Sequence, residues 1–186
     1  MVKKKVWYTC KMKDIFRHIA GYTLGITIFA FLIPCGLIDL SKIDHQVLKV
    51  VLINSELLRK VISLPVFLVG TVFMIWSNIF LFTIGKGGPA DGFNISISPR
   101  SKKLVTTGPY RYSRNPMVFG AFSLYTSLGI FLNSVICLII ILIFVFFIIY
   151  YLRLSEEKRL LKDFGDEYLD YKNKVPMIFP GRRIRK

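Results

Sequence analysis

Acidic residues are scarce in this chain: 11 Asp and Glu stand against 26 Lys and Arg, a formal net charge of +15 over 186 residues. Charge of either sign is thin as well, at 20% of residues, whereas an average soluble domain carries roughly a quarter. Histidine is almost missing. His18 and His45 are isolated from each other, which leaves no imidazole cluster to hold a metal. The three cysteines, Cys10, Cys35 and Cys137, show neither an even count nor ligand spacing, so neither a disulfide nor a metal site is expected. Cys35 and Cys137 fall in apolar runs, where a thiol serves as a small core residue. Internal repeats and low-complexity tracts are absent, and Asn78 with a few Ser and Thr is all the polarity the apolar runs offer. That argues against a transporter or scaffold built on intramembrane polar groups or repeat symmetry.

What the chain has in excess is hydrophobic residues, 53% of the total with a mean hydropathy of +0.52. They fall in blocks long enough to cross a bilayer, which takes about 20 apolar residues as a helix. The composition predicts one all-α membrane domain over residues 1–186. Its spans are expected near 19–40 and 61–84 in an N-terminal part (1–85), and near 116–131 and 135–154 in the part from 86 to 186. The first run is too long for a signal-peptide core, and Leu32-Ile33-Pro34-Cys35 lacks the small residues of a cleavage site. It reads as a retained span bent at its far end by Pro34 and Gly36. Residues 41–60 read as a mixed loop, with a weak signal for a short interfacial helix near 47–58. Asn133-Ser134 separates the last two runs as a tight hairpin.

A basic excess can mean nucleic acid, but these cations flank apolar spans and do not form one soluble face. The N-terminus, residues 86–115 and the C-terminal tail are all strongly basic, while the 41–60 loop is nearly balanced. An even number of spans puts the three basic regions on one side, the cytosolic one. The same cations attract anionic lipid heads or an anionic substrate.

Two polar segments at the span ends carry the chemistry. The first is Lys102-Lys103-Leu104-Val105-Thr106-Thr107-Gly108-Pro109-Tyr110-Arg111-Tyr112-Ser113-Arg114-Asn115-Pro116. Locally it is a solvated loop leading into a helix, with Asn115 as the cap and Pro116 in the first turn. Two tyrosines interleaved with two arginines at the edge of the hydrocarbon are either interface anchors or site residues. The second segment is Arg153-Leu154-Ser155-Glu156-Glu157. Ser155 is expected to cap a new helix, with the glutamates near its positive end. Arg153 and Glu156 share a helix face and offer either a structural pair or a binding group. Beyond them Leu160, Leu161, Phe164, Tyr168 and Tyr171 recur at helical spacing, the pattern of a cytosolic amphipathic helix.

In order and spacing, several of these pieces resemble the isoprenylcysteine carboxyl methyltransferase family and, more distantly, the phosphatidylethanolamine methyltransferases. They are Lys86-Gly87-Gly88-Pro89, Gly108-Pro109-Tyr110, Arg114-Asn115-Pro116, Glu156-Glu157, Phe164-Gly165-Asp166-Glu167-Tyr168-Leu169-Asp170-Tyr171 and Val175-Pro176. The resemblance covers roughly residues 85–180. It implies a C-terminal half that wraps S-adenosylmethionine at the cytosolic surface. Lys102, Lys103, Leu104, Val105, Tyr110, Arg114, Asn115, Pro116, Met117 and Val118 would line the cofactor, with Glu156 on its polar groups. Arg153 would be the substrate-side arginine. Asn115 stands where many members have histidine, and Val118 where a tyrosine is usual, with Phe119 beside it to supply a ring.

The expected function is transfer of a methyl group to a lipid-like or prenylated acceptor drawn from the bilayer. A carboxylate acceptor needs no base and is favoured. An amine would need one, and Glu157 is the nearest candidate. A membrane reductase of the sterol-reductase type, using NADPH, shares a similar C-terminal layout and is the rival enzyme reading.

Overall fold

A computed structural model of the chain describes residues 2–88, 91–92, 95–96 and 101–181. Pro89 of the glycine-rich segment and the basic tail from Arg182 lie outside the described residues. The elements in order are α1 (Val2–Ile26), a π-helical turn (Thr27–Leu32), α2 (Ile33–Val47), α3 (Glu56–Phe80) and a second π-helical turn (Leu81–Gly85). Two short antiparallel strands come next, β1 (Asp91–Gly92) and β2 (Ile95–Ser96), then a 3₁₀ turn (Gly108–Arg111). α4 (Pro116–Phe131), α5 (Val135–Tyr151), a third π-helical turn (Leu152–Glu156) and α6 (Glu157–Lys174) complete the chain. Among the described residues the fold is all-α apart from that small hairpin.

Among the described residues, three helical stretches are long and apolar enough to cross a membrane: Ile15–Val47, Glu56–Gly85 and Val135–Lys174. α4 is apolar but shorter, at 16 residues, about 24 Å at the helical rise. It is therefore held by its neighbours. Ser63, Gly70 and Ser77 recur every seventh residue along α3 and are all buried. α4 likewise buries Gly120, Ser123 and Ser127, and Gly70 faces Gly120. A side chain on Gly70 would begin 2.8 Å from the Leu124 nitrogen and 2.9 Å from the Gly120 carbonyl oxygen. One on Gly120 would begin 2.9 Å from the Gly70 carbonyl oxygen. Within a bilayer, where lipid tails are as apolar as leucine, such close backbone approach is what joins helices. Phe73 meets Phe119 edge-on at 4.9 Å beside this crossing.

The first helix runs further than composition suggested. It does not end near Leu40 but continues to Val47, and the expected helix at 47–58 gives way to an irregular link before α3. The reason is long-range. Asp44 is buried, and its carboxylate accepts from the Ser134 hydroxyl at 2.5 Å and the Ile136 amide at 3.1 Å. Ser134 in turn caps α5 by accepting from the Cys137 amide. Asn133, at positive φ, accepts from the Leu52 and Ile53 amides. The hairpin between α4 and α5 is thus sewn to the end of the first helix and the link after it.

Just before Pro34 and Gly36, where a bend was expected, the helix takes a π-helical turn. Within it the Ile33 amide donates to Ile28, five residues back. Pro34 has no N–H, so the Phe29 carbonyl loses its intrahelical donor. Tyr125 of α4 replaces it, donating its hydroxyl to that carbonyl at 2.9 Å.

A further expectation needs correction at the C-terminus. The separate amphipathic helix is a continuation of the last span, because the chain from Val135 to Lys174 stays helical through the π-helical turn. Ser155 caps nothing; Glu156 at the start of α6 already has helical torsions. The break comes later, at Gly165, whose φ of 53° and ψ of −130° kink α6. From Val135 to this kink the helix is about 45 Å long, half as long again as the hydrocarbon core is thick.

Candidate active site

The two polar segments meet. Arg114 lies just after the 3₁₀ turn, whose approach to α3 depends on Gly108: at φ +60° it lies against the Phe80 ring, where no side chain would fit. The Arg114 amide donates to the Pro176 carbonyl at 2.9 Å and its Nε to the Val175 carbonyl at 3.0 Å. Its Nη1 pairs with the Glu157 carboxylate and also donates to the Tyr168 hydroxyl at 3.2 Å. The other Glu157 oxygen accepts from Lys172 Nζ at 2.6 Å. Both members of the Arg114–Glu157 pair are 10% exposed, so each charge depends on the other for solvation.

The rest of the segment is bound just as closely to the C-terminal end. Asn115 donates from its amide and from Nδ2 to the Met177 carbonyl, both at 3.0 Å. It occupies the N-cap position of α4, with Pro116 at the first turn, yet its side chain makes no capping bond. Tyr171 donates its hydroxyl to the Tyr110 carbonyl at 2.7 Å. Tyr168 and Tyr171, read from sequence as a helix face and as part of the family-like pattern, therefore hold the loop in place, and Val175-Pro176-Met177 supplies the carbonyl partners.

Behind this junction lies a cavity of about 1650 Å³, larger than the few hundred to about 1,000 Å³ usual for one small ligand. Of the residues singled out from sequence, Lys103, Leu104, Val105, Tyr110, Arg114, Asn115, Pro116, Met117, Val118, Glu156 and Glu157 line it. Lys102 and Arg153 do not; both are exposed beside the wall. Glu156 pairs with Arg159 at 3.7 Å, one turn on in α6. The third π-helical turn inserts an extra residue into the helix path, which rotates the start of α6 by about 100°. Leu152, Glu156, Glu157 and Leu160 consequently all reach the cavity.

The cavity has two limbs. Its head is polar, with Lys103, Tyr110, Arg114 and Glu156. Its remainder runs between α1, α3 and α4 and is lined by apolar groups such as Ile26, Phe29, Phe67, Ile75, Leu124 and Leu128. Burial, and then the Glu156 carboxylate and the Tyr22 phenol, push the Tyr110 hydroxyl well above its ordinary pKa, so it is neutral at physiological pH. Sequence reasoning missed the α1 and α3 walls, because an apolar side chain facing a cavity looks the same as one facing lipid.

The sequence profile of the phospholipid methyltransferase family matches residues 58–167, more than half of the chain. The chain belongs to the phospholipid methyltransferase family. The match starts in α3, one helix earlier than the resemblance to carboxyl methyltransferases, and stops short of Val175-Pro176. No curated protein and no solved structure matches the chain. Membership implies S-adenosylmethionine as the methyl donor, and three long apolar helices mark a multi-pass membrane protein. The residues at the head suit that donor chemically. A lysine can meet its carboxylate and a glutamate its ammonium or ribose hydroxyls, while Leu104, Val105 and Val118 offer aliphatic contact for a nucleoside.

Proposed function

We propose that this family member methylates a lipid-like or prenylated acceptor at the cytosolic membrane face, with O-methylation of a carboxylate the favoured reaction. The observation that carries the reading is the cavity itself, with a polar head where Arg114 meets Glu157 and an apolar limb between membrane-length helices. An amphiphile placed in it would keep its tail among apolar side chains and bring its head to the donor site. The family match supports methyl transfer over the reductase alternative. The basic regions beside the site end of the helices support a cytosolic location for that end and for both termini.

Lys103 and Glu156 hold the charged groups of S-adenosylmethionine in this reading. Leu104, Val105, Pro116, Met117 and Val118 pack its nucleoside, and Tyr110 and Asn115 border it. When bound, the cofactor supplies an electrophilic methyl group on a sulfonium. Arg114 is committed to Glu157, Tyr168 and the Val175 carbonyl, so its part is to fix the wall. Lys102 and Arg153, exposed beside the wall, add a positive field that draws an anionic acceptor toward the head.

A carboxylate acceptor is ionised already and loses its charge as the new O–CH₃ bond forms and the methyl–sulfonium bond breaks, which leaves a neutral thioether. Alignment of the reacting groups contributes most of the rate, and a site shielded from water favours the charge-cancelling step. Glu157, the nearest candidate base for an amine, has both oxygens engaged by Arg114 and Lys172, which supports the carboxylate.

The test is incorporation of labelled methyl from S-adenosylmethionine into N-acetyl-S-farnesylcysteine and into extracted membrane lipids. Base-labile label, as methyl ester, is expected. Label that survives base would replace carboxylate with amine as the acceptor, and no incorporation into either would overturn the reading.

A further inference from the structure

The family match begins at residue 58, yet residues 22–34 of α1, its π-helical turn and α2 build one wall of the cavity. On that wall Leu24, Ile26, Ile28, Phe29 and Pro34 are apolar, and Tyr22 alone brings a hydroxyl. Its place along the helix puts it at the head. His18, one turn earlier, stacks on the Tyr22 ring with centroids 6.5 Å apart and planes at 24°. His18 also meets Phe82 edge-on at 5.4 Å, beside the π-helical turn that packs on Val105 through Gly85. The ring is thus braced by His18, and Tyr22 shares the cavity with Lys103, Tyr110 and Glu156. Tyr110 feels the charge or dipole of both Tyr22 and Glu156, which agrees with that placement.

Lys103, Tyr110 and Glu156 come from the loop and last helix that the donor is proposed to occupy. Tyr22 comes from the first helix, where the apolar limb begins. A phenol there donates one hydrogen bond and is best satisfied by an anionic oxygen. An ammonium head has no lone pair to accept it and could meet the phenol only by donating to its oxygen, which leaves the phenol proton unused. We infer that Tyr22 is the acceptor-side residue of the site, its hydroxyl donating to an anionic oxygen of the amphiphile's head and so selecting acids over amines and neutral heads. This rests on the methyltransferase reading above. The residue lies outside the part of the chain that the family profile matches, so in this reading acceptor choice is set by the first helix and donor binding by the matched region.

The experiment compares wild type with Tyr22→Phe, which keeps the ring and its stack on His18. Methyl transfer to N-acetyl-S-farnesylcysteine is measured in detergent, with the corresponding carboxamide as a neutral inhibitor and S-adenosylmethionine affinity by calorimetry. A hydrogen bond to a charged group implies that the variant raises KM for the acid by roughly tenfold. The carboxamide inhibition constant rises by much less, as expected for a neutral acceptor oxygen, while kcat and donor affinity stay as in wild type. An unchanged KM overturns the inference, as does equal weakening toward acid and carboxamide, which would mark a packing role. A parallel loss of donor affinity also overturns it by moving Tyr22 to the cofactor side. A wild-type protein that binds the donor but leaves the acid unmethylated overturns the acceptor reading itself, and the inference with it.

Discussion

Arg114 and Glu157, 43 residues apart in sequence, form a buried ion pair that joins the loop before α4 to the start of α6. Lys172 completes the pair's environment at 2.6 Å from the second Glu157 oxygen. Removing one member of such a pair strands the other charge, at a cost of about 3–5 kcal/mol. Glu157→Ala and Arg114→Ala are therefore expected to lower the detergent melting temperature by several degrees and to abolish donor binding with it. Glu157→Gln, which keeps the shape and a hydrogen-bond acceptor, should lose less. Thermal unfolding in detergent, tracked by intrinsic fluorescence, checks the order.

The crossing of α3 over α4 makes a different prediction, because there it is volume and not charge that matters. A Cβ on Gly70 would lie within 3 Å of main-chain atoms on α4, which cannot be moved aside cheaply. Gly70→Ala should cost about 1–3 kcal/mol and Gly70→Leu should prevent assembly. Gly25, with open space around it, is the control, and Gly25→Ala should be close to neutral. Yield of monodisperse protein by size exclusion separates the three.

Tyr125 and the π-helical turn of the first helix form a third testable joint. The Phe29 carbonyl is freed because Pro34 has no N–H to give it, and Tyr125 is the group that satisfies it. Tyr125→Phe leaves that carbonyl unpaired on the wall of the cavity, at a cost of about 1–2 kcal/mol. Pro34→Ala restores the intrahelical donor. The double variant should therefore lose less than Tyr125→Phe alone, a coupling that a double-mutant cycle of melting free energies would measure.

Much of the fold was legible because bilayer length leaves a plain mark. The runs at 61–84 and 135–154 lie within observed helices, and Asn133-Ser134 does sit between α4 and α5. Residues 41–47 were not legible. Lys42 and Asp44 read as a loop by polarity, and only the hairpin at Ser134, 90 residues away, explains why Asp44 is helical and buried. Ser155 failed as a cap for a similar reason: capping needs an extended torsion there, and the helix never leaves its path.

The site divides the same way. Arg114, Glu156 and Glu157 stood out because charge at the edge of an apolar span is costly without a partner. Their partners were half-visible, since Tyr168, Tyr171 and Val175-Pro176 belonged to the family-like pattern without a stated task. Tyr22, Phe29 and the α1 wall gave no signal, because nothing in an apolar helix tells a cavity face from a lipid face.

The donor site at the cavity head is tested most directly by calorimetric titration of S-adenosylmethionine into the detergent-solubilised protein and its Glu156→Ala variant. Glu156 lines the head but stands outside the Arg114–Glu157 pair, so the variant should insert and fold as wild type does. Micromolar-range binding by wild type and a loss of tenfold or more in the variant, roughly the worth of one charge-assisted contact, is the expected result. Equal affinity in the two proteins would contradict a donor site at this place.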